Sequence, residues 1–344
     1  MHATKPFGQL AVLGAAALVS LGSLGQAAAA DVNIYTTREP GLIKPLLDTF
    51  SKETGIKVNA IFVQTGLTER VKAEGPNSPA DLLITVDFGN LIEAVDAGVT
   101  QKLENAKLAA AVPSNLRAPD GSWYALSMRA RVIYAAKDLE LESFNYEDLA
   151  DPEWQGRVCI RSGQHPYNTA LFAAYMTHHG AEDTEAWLTG VKNNLARPAA
   201  GGDRDVAKDI MGGICDIGIA NSYYVGLMRS GAGGDEQRAW GDAIKIILPT
   251  FEDGGTQVNI SGAAVARHAP NKDQAVALLE FLVSPEAQKI YAEANFEYPV
   301  LAGAEISPLI SELGELTIDP LPLTEVVTNR REASAPVDKV GFDN

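Results

Sequence analysis

Three tyrosines stand where their side chains could bind a charged ligand. Tyr223 and Tyr224 are adjacent in Asn-Ser-Tyr-Tyr-Val-Gly, and Tyr167 lies in Ser-Gly-Gln-His-Pro-Tyr-Asn-Thr. Phenolate is a hard, anionic oxygen donor, so it suits a hard, highly charged cation, and tyrosinate is a recognised iron ligand. A free tyrosine has a pKa of about 10, so it ligates at neutral pH only if the cation displaces its proton. A trivalent ion supplies most of that driving force. Each of the three falls near a predicted helix start, whose partial positive charge adds about 0.3–1 kcal/mol in favour of an anion. The same residues also suit a sugar or peptide pocket, or simple packing with the hydroxyls wet.

Three phenolates balance three positive charges, and a six-coordinate hard cation needs further oxygen donors, from a small anion or from water. Arg38, Arg129 and Arg131 are candidate anion holders, because a guanidinium matches a planar oxyanion through two parallel hydrogen bonds. The alternative is that one of the two strand arginines is committed to an ion pair between lobes. Glu39 is either a direct ligand or the partner of such a pair, and Thr37 is a candidate extra ligand or supporting group. Gly201-Gly202-Asp203-Arg204-Asp205 reads as an anion-binding loop or as a helix start capped by Asp203. His165 is a ligand, a supporting group or a surface histidine, while His178 and His179 look like helix C-terminal residues.

The surrounding pattern is that of an α/β protein, with apolar strands alternating with amphipathic helices. Strands are expected over 32–36, 56–63, 82–86, 123–136, 157–160, 215–220, 243–248 and 258–265. Helices are expected over 41–54, 90–97, 273–283 and 285–295. Residues 146–156, punctuated by Pro152 and Gly156, read as a connection between lobes, and the polar tail from Thr324 as loosely held. Cys159 and Cys215 each lie in or at a predicted strand, and each precedes a tyrosine by eight residues, Tyr167 and Tyr223. Bridging those strands would bring both helix starts to one sheet edge, where open α/β sheets bind ligands.

Residues 1–30 read as a secretory leader: Lys5 near the start, an apolar run from Leu10 to Leu24, then small residues to Ala30. Its removal takes the net charge from −16 to −17, since Lys5 is its only counted charge. Such acidity argues against nucleic acid and anionic membranes as partners. The roughly 310 residues left exceed what one core supports, so two lobes are expected. An even cysteine count in an oxidising compartment suggests one disulfide. No nucleophile elbow, His-Glu-x-x-His or phosphate-loop motif is present, which leaves an enzyme without support.

At these residues the chain resembles the periplasmic ferric-iron-binding proteins of the ABC-transporter solute-binding class. The likeness is carried by Ile34-Tyr35-Thr36-Thr37-Arg38, Ser78-Pro79-Ala80-Asp81-Leu82-Leu83, Arg129-Ala130-Arg131-Val132-Ile133-Tyr134 and Leu149-Ala150-Asp151-Pro152. It continues in Val158-Cys159-Ile160-Arg161-Ser162-Gly163, Gly201-Gly202-Asp203-Arg204-Asp205, Gly213-Ile214-Cys215-Asp216 and Asn221-Ser222-Tyr223-Tyr224. It implies a two-lobed α/β protein of the type II solute-binding fold, with lobes at 31–130 plus about 254–304 and at 131–253 plus about 305–344. It further implies Fe(III) held in the interlobe cleft by Tyr167, Tyr223 and Tyr224. A synergistic carbonate or bicarbonate would lie on an arginine that aligns with Arg129. Other branches carry His-Tyr or His after the first strand; here Glu39-Pro40 stands there, which removes those first-lobe ligands. The cysteines align with a disulfide of related members. A monomer delivering iron in the periplasm to a membrane permease with its own ATPase is the function implied.

Overall fold

Strand β4 (Tyr124–Ala136) organises the molecule, because its thirteen residues change partners along their length. In the computed structural model, which describes residues 1–3 and 31–344, its first half pairs with β8 (Val258–Val265) from Tyr124 to Ala130. From Arg131 to Ala135 it pairs instead with β6 (Ile217–Asn221), and from Ile133 to Ala136 also with β7 (Ile244–Ile247). Two groups of elements are thereby joined by crossing strands. All but the first three residues of the expected leader lie outside the described residues.

The first group holds β1 (Val32–Thr36), α1 (Pro40–Thr54), β2 (Val58–Phe62), α2 (Leu67–Glu74), β3 (Leu82–Thr85), α3 (Phe88–Asp96) and α4 (Ala106–Ala111). Beyond β4 come β5 (Val158–Cys159), α5 (Pro166–Asn193), α6 (Asp203–Met211), α7 (Tyr223–Arg229) and α8 (Asp235–Asp242). After β8 follow α9 (Lys272–Leu282), α10 (Pro285–Asn295), β9 (Tyr298–Pro299), α11 (Pro308–Ser311), α12 (Leu323–Thr328) and α13 (Ser334–Lys339). The described strands run in the order β2-β1-β3-β8-β4-β6-β5, with β7 and β9 also paired to β4.

Local chemistry accounts for the expected elements. In α1, Ile43, Leu46, Leu47 and Phe50 form one buried face at helical spacing. Gly55 ends that helix at φ 74°, a left-handed conformation that glycine adopts without strain. The crossing expected of 258–265 is present, since β8 pairs with β3 as well as β4.

Two expectations fail. Residues 146–156 do not link the lobes: Tyr146, Leu149 and Trp154 are buried in a separate core with Phe172, Leu188 and Ile219. Pro152 and Gly156 mark tight turns there. The tail is also not loose. Ala333, Val337 and Phe342 are buried, and α12 and α13 pack on α5. Its apolar residues are spaced too widely to show a clear period, so the polar average hid them.

Cys159 and Cys215 form a disulfide. It ties the end of β5 to the residues just before β6, and these two strands pair in parallel through Val158–Ile217 and Cys159–Gly218.

Candidate metal centre

Parallel strands β5 and β6 end on the same side, so the chain leaving each one enters the same space. From β6 the chain turns into α7 at once, placing Tyr223 and Tyr224 in its first turn. From β5 it passes through residues 160–165 into α5, whose second residue is Tyr167. The Tyr167 and Tyr223 hydroxyl oxygens stand 3.5 Å apart. The rings of Tyr223 and Tyr224 lie 4.1 Å apart between centroids, tilted by 32°. All three line a cavity of about 150 Å³ together with Thr37, Arg38, Glu39, Leu42, Val86, Arg129, Leu227, Asn295 and Glu297.

The adjacent phenols of Tyr223 and Tyr224 sit in a medium that keeps them protonated. Burial, with the neighbouring Tyr167 and Tyr224, raises Tyr223 well above the ordinary tyrosine value. Burial and then Tyr167 push Tyr224 up to about 12. Desolvation disfavours a lone phenolate, and a cation entering the cavity reverses that preference. Cations already flank the outer rings. Arg161 lies 5.2 Å and Arg129 5.8 Å from the centre of the Tyr167 ring, and Arg204 lies 5.1 Å from that of Tyr224.

The opposite wall is an ion-pair network. Arg38 Nη2 donates to both carboxylate oxygens of Glu297 at 2.9 Å and to the Ser261 hydroxyl. The Ser127 hydroxyl donates to Glu297 as well. Arg129 donates to Ser261 Oγ at 3.0 Å and stands 3.9 Å from Glu297. Glu297, at 4 % exposure, therefore neutralises one of the two buried arginines and leaves the other without a buried counter-charge of its own. Thr37 lines the cavity but its hydroxyl is taken up by the Val86 N–H at 3.0 Å. Glu39 lines it too, exposed, at the start of α1.

Arg131 is not brought to the cavity. Its guanidinium is spent on Asp203 at 2.7 Å, Asn221 at 3.1 Å and Asn168 at 2.5 Å, all buried. Asp203 also accepts from Arg161 at 3.1 Å and from the Asn221 N–H at 2.8 Å. Gly202, not Asp203, caps α6, and the Asp205 carboxylate accepts the Gly202 N–H at 2.7 Å. That loop is thus filled by its own acids. His165 caps α5, its Nδ1 accepting from the Tyr167 N–H at 3.2 Å. Burial and Arg161 lower its pKa to about 4, so the ring is neutral. His178 and His179 do end a helical stretch, which breaks at Gly180, and they pair with Asp253, Asp319 and Glu147 away from the cavity.

Glu297, Asn295 and Ser261 escaped the sequence reading. The only local signal was an acid inside the otherwise apolar run Phe296–Val300, which carries no period.

Fold and cavity together define the class. The chain belongs to the bacterial extracellular solute-binding protein family, which its residues 77–312 match. Its two-lobed architecture is the type II solute-binding fold. Iron uptake protein A1 of Synechocystis is 39% identical over 339 residues, covering 96% of this chain and 93% of that protein. A ferric binding protein from Bordetella superposes with a TM-score of 0.88 at 64% identity, covering 91% of this chain and all of its own. A Trichodesmium protein in complex with iron and citrate superposes with a TM-score of 0.86 at 40% identity, again over 91% of this chain and all of the other.

Proposed function

We propose that this chain is the periplasmic binding component of an ABC iron importer, and that it takes Fe(III) into its interlobe cavity as cargo. Tyr167, Tyr223 and Tyr224 act as phenolate ligands, and a carbonate or bicarbonate anion rests on Arg129. The observation that carries this is the convergence of three phenols from two helices, with hydroxyls 3.5 Å apart across the gap between them. Among the described residues no cluster of three or more His, Cys, Asp or Glu offers a competing metal site. The iron-uptake and ferric-binding relatives support the choice of cargo.

The charges explain the division of labour. Three phenolates neutralise a trivalent ion, and Arg38 is neutralised by Glu297. Arg129 then remains as the cation facing a bound anion, which completes the oxygen donor set. Glu39, exposed at the rim, is the first-lobe group placed to reach the ion on closure. We assign 31–130 and about 254–304 to the first lobe, and 131–253 and about 305–344 to the second. The change of partners on β4 after Ala130 supports that division. Closure about these crossing strands is the shape a membrane permease with a separate ATPase would read. Release would be favoured by an external one-electron reductant, because Fe(II) gains less from three phenolates, or by protonation of a tyrosine.

Adding ferric citrate and bicarbonate to the purified protein should give a red-orange charge-transfer band that Tyr224→Phe shifts or removes. A colourless protein stabilised by some other solute would instead mean an oxyanion or small organic cargo in the same cleft.

A further inference from the structure

Tyr167 reaches the cavity from a different stretch of chain than Tyr223 and Tyr224. Its position depends on residues 160–165, which follow a strand of only two residues. The C-terminal segment holds that loop from outside. Asp343 accepts the Gly163 N–H at 2.6 Å, the Ser162 hydroxyl at 2.6 Å and the Gln164 N–H at 3.4 Å. The Gln164 side chain donates to Asp338 at 2.8 Å and to the Ser334 carbonyl at 3.0 Å, and accepts from the Ser334 hydroxyl at 2.6 Å. Val337 and Phe342 press on Gly163, each 2.8 Å from where a Cβ would stand, so no side chain fits at that position. On the inner side, Asn168 donates to the Arg161 and Ser162 carbonyls at 3.0 Å.

We infer that Asp343 is a positioning residue for Tyr167: its carboxylate gathers residues 162–164 and so sets where the Tyr167 hydroxyl stands relative to Tyr223. Hydrogen bonds to an ionised acceptor are among the strongest available for fixing a loop. A ligand set tolerates little looseness, and a displacement of about 1 Å is felt as a large loss of function. None of the residues that line the cavity comes from the C-terminal segment, so its effect runs through the loop. The inference rests on the ferric proposal only for the identity of the cargo.

Asp343→Ala and the milder Asp343→Asn are tested in the wild-type and Tyr167→Phe backgrounds by ferric titration. In the wild-type background Asp343→Ala should weaken ferric affinity by about tenfold or more, and Asp343→Asn by less. In the Tyr167→Phe background the same change should matter by less than about twofold, since the ligand it positions is already gone. Equal losses in both backgrounds would mean a general structural role and overturn the inference, as would unchanged affinity in the wild-type background. Hydrogen exchange on the metal-free protein gives a second readout: Asp343→Ala should speed exchange over residues 162–168 and leave residues 222–228 protected. A wild-type protein with no ferric band overturns the cargo assignment alone. Exchange then decides positioning by itself, local acceleration supporting it and unchanged exchange overturning it.

Discussion

The two walls of the cavity differ in how far their polar groups are already satisfied. On one, Glu297 closes a network with Arg38, Ser261 and Ser127, every link buried. On the other, three phenols line the cavity with a single 3.5 Å hydroxyl contact between two of them. Neutral phenols are far cheaper to bury than phenolates, so the tyrosine wall tolerates being empty. The network wall keeps Arg38 paired with Glu297 whether or not cargo is present. On the proposed function, binding capacity is therefore concentrated on the tyrosine wall, and the other contributes Arg129, which Glu297 does not pair as closely as Arg38.

That contrast can be broken most directly at the tyrosines. Tyr223→Phe removes one oxygen and no packing, so ferric affinity should fall by several orders of magnitude in a visible titration while the melting temperature holds. Unchanged affinity in both Tyr223→Phe and Tyr224→Phe would remove the basis of the site. Next in size is the pH dependence. Tyr223 and Tyr224 are both raised, so each must shed a proton on ligation, and affinity should climb about tenfold per pH unit for each proton released. Ferric titrations between pH 5.5 and 7.5 should then show a slope of at least about two protons; a flat profile would argue against phenolate ligation. In the metal-free protein the same raised values stabilise the fold below the unfolded tyrosine pKa. That stability is lost only as pH rises from about 10 through the raised folded values, about 12 for Tyr224.

On the network wall the signature should be stability. Glu297→Gln leaves the Arg38 guanidinium buried without its counter-charge, at a cost of about 3 kcal/mol in chemical denaturation. The same variant should bind bicarbonate more tightly in the ferric complex, because Arg129 loses its acidic neighbour. A variant of wild-type stability would mean that water reaches this pair. The smallest effect is expected from Arg129→Ala, a loss of about tenfold in ferric affinity at saturating bicarbonate that shrinks when bicarbonate is withheld. A loss indifferent to bicarbonate would make Arg129 a support for Ser261 and not an anion holder.

The sequence exposed one wall and hid the other. Tyrosines at equal distances from two cysteines, with apolar strands before and helices after, are local signals, and the parallel pairing of β5 and β6 turns them into one site. Glu297 is 259 residues from Arg38, and nothing near either residue foretells the pair. Arg131 and Arg129 share a strand face and look interchangeable in sequence. What separates them is Asp203, which arrives from 72 residues away and takes one of them out of play. The tail was misjudged for a similar reason: Asp343 finds its partners 180 residues back, at the loop before Tyr167.

The disulfide has a consequence for the chain when it is not folded. Along the backbone Tyr167 and Tyr223 are 56 residues apart, but through the Cys159–Cys215 bridge the path is about 16 residues. For a flexible chain, mutual concentration falls roughly as the three-halves power of path length, so the bridge raises it about sixfold. Two of the phenols thus remain near neighbours in the oxidised, disordered chain. A chain unfolded with this bridge intact would begin its recovery with two of its three cavity phenols already gathered.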